Sequence, residues 1–281
     1  MPMHRRHFLH SLAALPLTVA LPTRADEQFD AIRKRGRLSI AVYNDFAPYS
    51  DAEKGLDVEL GKALAQKLGL TPSIIGFKAG EDMGDDLRNM VWKGHYLRGD
   101  PAAVMMHVPV DPRLAEANDK VKIFGPYHVE TIAMARIASR APAPVGSAAV
   151  ALEVFTREKI GVEGESMPDS FLMGVLRGRL RDNVAHFRTV GEAVQAMRED
   201  KIAAVMATRG ELEGALAGDK RFVLDTVEMT ELTIRRWPLG LAVKADATDL
   251  AAALEGALTE LKNDGSVAAL FKRFGVTYLA P

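Results

Sequence analysis

The chain has 281 residues, with 36 Lys or Arg against 37 Asp or Glu and a formal net charge of −1. That balance offers no basic face for nucleic acid. The absence of cysteine rules out disulfides, thiolate metal sites, a cysteine nucleophile and a lipid anchor on an N-terminal cysteine.

The first ten residues carry Arg5 and Arg6 and no acidic residue, and an apolar run follows from Leu12 to Leu21. A basic start, a short apolar core and the small-residue exit Thr23-Arg24-Ala25 are the parts of a secretory signal peptide. Cleavage is expected before Asp26, and the apolar core is about half the ~20 residues a membrane-spanning helix needs. Arg5-Arg6-His7-Phe8-Leu9 resembles the twin-arginine export motif. Cleavage there removes three arginines and no acid, leaving 33 basic and 37 acidic residues and a net charge of −4. The expected location is the periplasm, and the 256 residues that remain suffice for two lobes with separate cores.

Further along, Leu38–Tyr43 reads as a strand after Gly36, and 44–54, with its proline, aspartates and aromatics, as a loop. Leu60, Leu64 and Leu68 recur at helical spacing before Gly69. Thr71–Phe77 predicts a strand, Asp85–Tyr96 a helix and Ala102–Val108 a buried strand. Apart from the short Ala/Pro/Ser stretch 138–149, low-complexity segments and repeats are absent. Lys159–Glu163 predicts a strand, Ser166-Met-Pro-Asp169 and Thr189-Val-Gly-Glu192 two capped helix starts, Ile202–Ala207 and Leu239–Val243 two more strands. Leu250, Ala253, Leu254, Ala257, Leu258 and Leu261 mark a long amphipathic helix, with a shorter one from Val267 to Phe274. Alternating strands and helices predict α/β sheets, and two such sets predict two lobes.

Gly55-Leu-Asp-Val-Glu-Leu60, followed by Leu64-Ala65 and Leu68, resembles the local pattern of family 3 bacterial extracellular solute-binding proteins, the periplasmic components of polar amino-acid ABC importers. Gly36–Val42, Phe46-Ala-Pro-Tyr49, Phe124-Gly-Pro-Tyr127, Leu239–Lys244 and Leu261–Gly265 extend the resemblance across residues 36–275. It implies a type II, two-lobed periplasmic binding protein of the venus-flytrap kind. Its two crossovers fall near Thr131–Ile137 and Leu232–Gly240. Lobe 1 is then 26–131 plus 240–281, lobe 2 is 132–239, and ligand is bound between lobes that close by hinge motion.

The same resemblance nominates the cleft. Family members that bind amino acids clamp the ligand carboxylate with the arginine of a Thr-x-x-Arg segment; here Val110-Asp-Pro-Arg113 keeps the arginine and lacks the threonine. The alternative is that Arg113 is a solvated loop residue. The family's aspartate for the ligand ammonium falls on Thr208, with Arg209 beside it, so a solute other than an ordinary α-amino acid, and an anionic one, is expected. Ser166 and Ser170 stand where a helix N-terminus would meet that anion, unless Ser166 is only a cap. Tyr43, Phe46 and Tyr49 are candidates for an aromatic wall. Trp92 and Trp237 are either stacking faces or core residues, and His107 completes the candidate contacts.

Metal and catalytic readings are weak: His95, His107, His128 and His186 lack zinc-site spacing, and nucleotide-binding and hydrolase fingerprints are absent. No cofactor is expected. The leading reading is a monomeric, non-enzymatic binding protein whose partners are a small-molecule ligand and an ABC permease. Asp86–Tyr96 and His107–Asp111 also resemble a subgroup found beside quinoprotein alcohol dehydrogenases, which implies an accessory that binds pyrroloquinoline quinone or docks to the dehydrogenase or its cytochrome. A third reading is a dehydratase of prephenate-like acids, which would need a cleft carboxyl poised as general acid near an arginine clamp. Export is checked by N-terminal sequencing of protein recovered from a bacterial periplasm. The expected first residue is Asp26, and Lys at both position 5 and position 6 should leave the precursor in the cytoplasm.

Overall fold

The computed structural model describes residues 24–95 and 99–281; most of the expected signal peptide and Tyr96 lie outside the described residues. The first helix, α1 (Arg24–Arg35), leads into β1 (Arg37–Tyr43). β1 pairs in parallel with β4 (Thr71–Phe77) and with β5 (Val104–Pro109). Leu38, Ile40, Ala41 and Val42 are all buried, the near-continuous burial of a central parallel strand covered on both faces. Between β1 and β4 come the short antiparallel pair β2 (Asp45–Phe46) and β3 (Ser50–Asp51) and the helix α2 (Leu56–Lys67). Helix α3 (Met83–Leu87) runs on into a π-helical turn, Arg88–Trp92. The helix expected over 85–96 therefore ends at Trp92, before Gly94.

After β5 and the short helix α4 (Pro112–Ala117), one 16-residue strand, β6 (Val121–Arg136), ties the molecule together. Up to Thr131 it pairs antiparallel with β13 (Arg236–Lys244), which also pairs with β5. From Ile132 onward it pairs with β10 (Ala204–Thr208), and from Ala133 with β11 (Val223–Thr226). The remaining elements are β7 (Val145–Gly146), α5 (Ala148–Ala151), β8 (Ile160–Glu163), α6 (Met167–Gly174), β9 (Val184–Phe187), α7 (Val190–Arg198), α8 (Arg209–Leu216), β12 (Glu228–Met229), α9 (Thr248–Asn263) and α10 (Ser266–Arg273). The long sheet has the order β4-β1-β5-β13-β6-β10-β8-β9.

The buried apolar residues separate along this sheet. Two clusters draw on residues before 128 and after 238, and two others on 132–232. Trp237 packs against one cluster from each side. The molecule is thus a two-lobed mixed α/β fold. β6 and β13 lie side by side at the junction, where the Ile132 N–H donates to the Arg235 carbonyl at 2.9 Å. Residues 236–239, expected in the second lobe, already pair with the first lobe's part of β6.

The start of α2 fixes the aromatic loop. Its first N–H groups have no side-chain cap; Leu56 and Asp57 donate instead to the carbonyls of Pro48 and Tyr49 at 3.0 and 2.8 Å, which satisfies donors a helix start leaves open. Gly55 allows this contact: its φ is +127° and a Cβ there would lie 2.3 Å from the Tyr49 carbonyl oxygen. Gly55→Ala should therefore cost about 2 kcal/mol or more, a fall of roughly 4–8 °C in melting temperature. An unchanged melting curve would mean that the loop does not close on α2 in this way.

Candidate functional site

Two adjoining cavities of about 230 and 310 Å³ lie between the lobes and share Glu163, Val190 and Glu211 as lining. The first lobe supplies Phe46 to one and Asp45, Ala47, Pro48 and Asp51 to the other. The second lobe supplies the ends of β8 and β10 and the starts of α6, α7 and α8, among them Ser166, Pro168, Thr189 and Thr208. Trp237, on the returning strand β13, and Ile132, on β6, close the smaller cavity. Among the described residues, no lysine or arginine lines either one.

The aromatic wall is held from behind. Phe46 stacks on Tyr49 with centroids 5.4 Å apart, and His107 meets both rings edge-on at 4.7 and 4.3 Å. His107 Nδ1 lies 2.8 Å from Asp57 Oδ2, and the Tyr127 hydroxyl donates to Asp57 Oδ1 at 2.7 Å. Asp57 is the acid of the Gly55–Leu60 segment, so that motif anchors the wall from inside the core. Tyr49 is fully buried and donates its hydroxyl to Glu130, which is 1% exposed. Glu130 also accepts the N–H of Thr131 at 2.7 Å and that of Gly210 at the start of α8. A Cβ on Gly210 would lie 2.1 Å from the Tyr49 hydroxyl, so only glycine lets the two lobes meet here. A second junction lies one turn further along α8, where the Thr277 N–H and hydroxyl donate to Glu213 at 2.6 and 2.7 Å.

The structure brings Phe46, Ser166, Thr208 and Trp237 together on one cavity, with Tyr49 and His107 one layer behind. The other expected contacts lie elsewhere. Tyr43 donates to Asp86 at 2.7 Å. Trp92 packs on the first lobe's core and lines a separate groove of about 740 Å³ with Arg35, Arg37 and Lys244. Arg113 is exposed in the first turn of α4, where Asp111 caps the helix and Pro112 starts it. Ser170 is exposed on α6. Ser166 caps α6 by accepting the Asp169 N–H at 3.2 Å, so it is both cap and lining. Arg209 turns away from the cavity to Glu213 at 3.0 Å and Thr226 at 2.8 Å.

The expectation of an anionic solute therefore loses its physical basis, because neither of its guanidiniums reaches the cavity. Nor is the position of Thr208 without a carboxyl. Thr208 donates to Glu211 Oε2 at 2.6 Å, so a carboxyl from three residues on stands where the aspartate was missing. Glu211, only 9% exposed, and Glu163 and Glu130 were not singled out from the sequence, although Thr208-Arg-Gly-Glu211 has the capping-box spacing that would have drawn attention to Glu211.

Burial, with the charges of Glu163 and Glu130 adding and the Thr208 hydrogen bond opposing, pushes the Glu211 carboxyl up to about 8. Burial likewise raises Glu163, against the Val190 N–H it accepts, and raises Glu130, against its own donors. A carboxyl raised on folding stabilises the fold below its unfolded-chain value, and that contribution is lost as pH climbs through the folded value. The melting temperature should thus fall between pH 5 and 9, with a slope of at most about 1.4 kcal/mol per pH unit from Glu211. Glu211→Gln should flatten the profile; an equally steep fall in the variant would contradict the assignment.

Neither a family model nor any curated protein sequence matches the chain. Solved structures do match. An ancestral cationic amino-acid solute-binding protein is 19% identical, with 88% of this chain and 99% of that one covered and a TM-score of 0.66. An ABC uptake transporter substrate-binding protein from Streptococcus pneumoniae with bound histidine is 14% identical, covering 90% and 98%, with a TM-score of 0.63. The amino-acid ABC transporter substrate-binding protein AbpA from Streptococcus pneumoniae, bound to L-arginine, is 18% identical, covering 87% and 97%, with a TM-score of 0.61. The chain shares the fold of these two-lobed type II periplasmic binding proteins.

Proposed function

We propose that the chain is an exported solute-binding protein that takes up a small, ammonium-bearing solute between its lobes and hands it to an ABC permease. The observation that carries this reading is the cavity's lining: the carboxyls of Glu163 and Glu211 beside the rings of Phe46 and Trp237, with no lysine or arginine among the described lining residues. Aromatic faces and carboxylates are the two groups that attract a desolvated ammonium or guanidinium. The volumes, at or below the ~300–1,000 Å³ of typical ligand sites, suit a small solute. The structural neighbours with bound histidine and arginine support the same class of ligand. On this reading residues 1–25 direct export, residues 26–131 with 236–281 and residues 132–235 form the two moving lobes, and the dehydratase alternative lacks its arginine clamp.

A second reading is favoured by the seal between the lobes. Tyr49, Glu130 and Gly210 at one junction, and Thr277 and Glu213 at another, join the two lobes by direct hydrogen bonds. Together with the Asp86–Tyr96 and His107–Asp111 segments, this supports an accessory that docks on a periplasmic quinoprotein dehydrogenase or its cytochrome. A carboxylate-lined cavity is a poor site for an anionic quinone, so docking is the stronger form of that alternative.

A thermal-shift panel separates the two. Putrescine, L-arginine, L-lysine, succinate and pyrroloquinoline quinone are each added to the purified protein. A cationic solute at ~100 times its Kd should add about 2.7 kcal/mol, roughly 5–10 °C, while succinate and the quinone add nothing. A shift with succinate or the quinone, or none with any cation, would contradict the proposal, and the last result would favour docking.

A further inference from the structure

The helix starts that converge on the cavity suggest an anion site, since α6, α7 and α8 all begin there. Free N–H groups at helix N-termini attract negative charge. In this protein those positions are taken by its own side chains. Glu163 accepts the first N–H of α7, and Glu130 accepts the Gly210 N–H of α8. Ser166, Thr189 and Thr208 each accept the N–H three residues on, and Asp169 accepts that of Glu165 at 2.9 Å. A ligand carboxylate would find these N–H groups already taken by the protein's own carboxyls and hydroxyls.

Among the described residues, no guanidinium lines the cavity either. Arg113 is exposed on α4, and Arg209, the arginine next to the lining, is committed to Glu213 and Thr226. Across the cavity stand Asp45 and Asp51, not cations. A carboxylate placed here would be desolvated, without a cationic partner, and would face Asp45 and Asp51 across the cavity.

We infer that, within the cation-binding role proposed above, the cavity selects organic cations that carry no carboxylate, such as decarboxylated amino acids, and rejects α-amino acids. The ammonium or guanidinium group sits between Glu211, Glu163 and the Trp237 ring. The groups facing Glu211 are Thr208 on β10, Glu163 on β8, Glu130 on β6 and, from the first lobe, Asp45 and Asp51. With a carboxyl held up to about 8 by burial, the arriving cation displaces the Glu211 proton into solvent, so affinity rises with pH.

Calorimetry with two matched pairs, agmatine against L-arginine and histamine against L-histidine, tests this on the full protein. At pH 8 the amines are expected to bind at least 100-fold more tightly than their parent amino acids. Agmatine affinity should rise up to ~10-fold per pH unit from pH 6 to 8 and level off above. Glu211→Gln, with its folding checked by circular dichroism, should weaken agmatine at least 10-fold and remove the pH dependence; Glu163→Gln should weaken it without removing that dependence. If the amino acids bind as well as the amines, the selectivity is overturned while the cation-binding role stands. If no member of either pair binds, both are overturned. Unchanged agmatine binding in Glu211→Gln would also overturn the placement of the cation.

Discussion

The fold and its cavity depend on one buried carboxyl. Glu130 sits on β6 one residue before that strand leaves the first lobe, almost wholly out of water. An ionised or neutral carboxyl in such a place must be hydrogen-bonded or it destabilises the fold by several kcal/mol. Its donors come from both sides: the Tyr49 hydroxyl from the first lobe, the Gly210 N–H from the second, and Thr131 from its own strand. Satisfying Glu130 thus requires the lobes to be in register. It also fixes Tyr49, and through Tyr49 the ring of Phe46 that faces the cavity.

That constraint reaches back into the first lobe's core. Asp57, under α2, binds both His107 and Tyr127, and the His107 ring buttresses Phe46 and Tyr49 from behind. His107 has a backbone φ of +62°, a conformation that costs a non-glycine residue energy and is retained where surrounding contacts over-determine it. The polar chain from Tyr127 through Asp57 to His107 supplies those contacts. The cavity's aromatic side is therefore rigid, and its acidic side, Glu163 and Glu211, rests on strand ends and capped helix starts of the second lobe.

Much of the fold was legible because its signals are local. The strand Thr71–Phe77 stands where its β-rich run placed it, and the helix built on Leu250–Leu261 spans Thr248–Asn263 as its apolar stripe indicates. The aromatic loop and the Thr189 cap are likewise readable from a few residues. The π-turn that ends at Trp92 was not, because its apolar residues keep helical spacing while the hydrogen bonds widen. Helix α8 carries two glycines and only two large apolar residues, Leu212 and Leu216, too little periodicity to mark it. The cavity was legible in half. Phe46, Ser166, Thr208 and Trp237, nominated from the sequence, line it, but the carboxyls that set its charge carry no such local signal. Burial of Glu130, Glu163 and Glu211 is a property of the assembled lobes, and nothing in a local pattern distinguishes a buried glutamate from a solvated one. Arg113 failed in the opposite sense: Asp111 and Pro112 form a helix start, which turns the arginine outward.

The central claim is that the cavity's negative charge, not a guanidinium clamp, defines what enters it. A crystal structure of the protein grown with an equimolar mixture of agmatine and L-arginine tests it most directly. The account predicts agmatine density, with a cationic nitrogen within hydrogen-bond distance of both Glu211 and Glu163 and lying over the Trp237 ring. L-arginine in the cavity, its carboxylate held at the starts of α6 to α8 or by an arginine swung in from the surface, would contradict it.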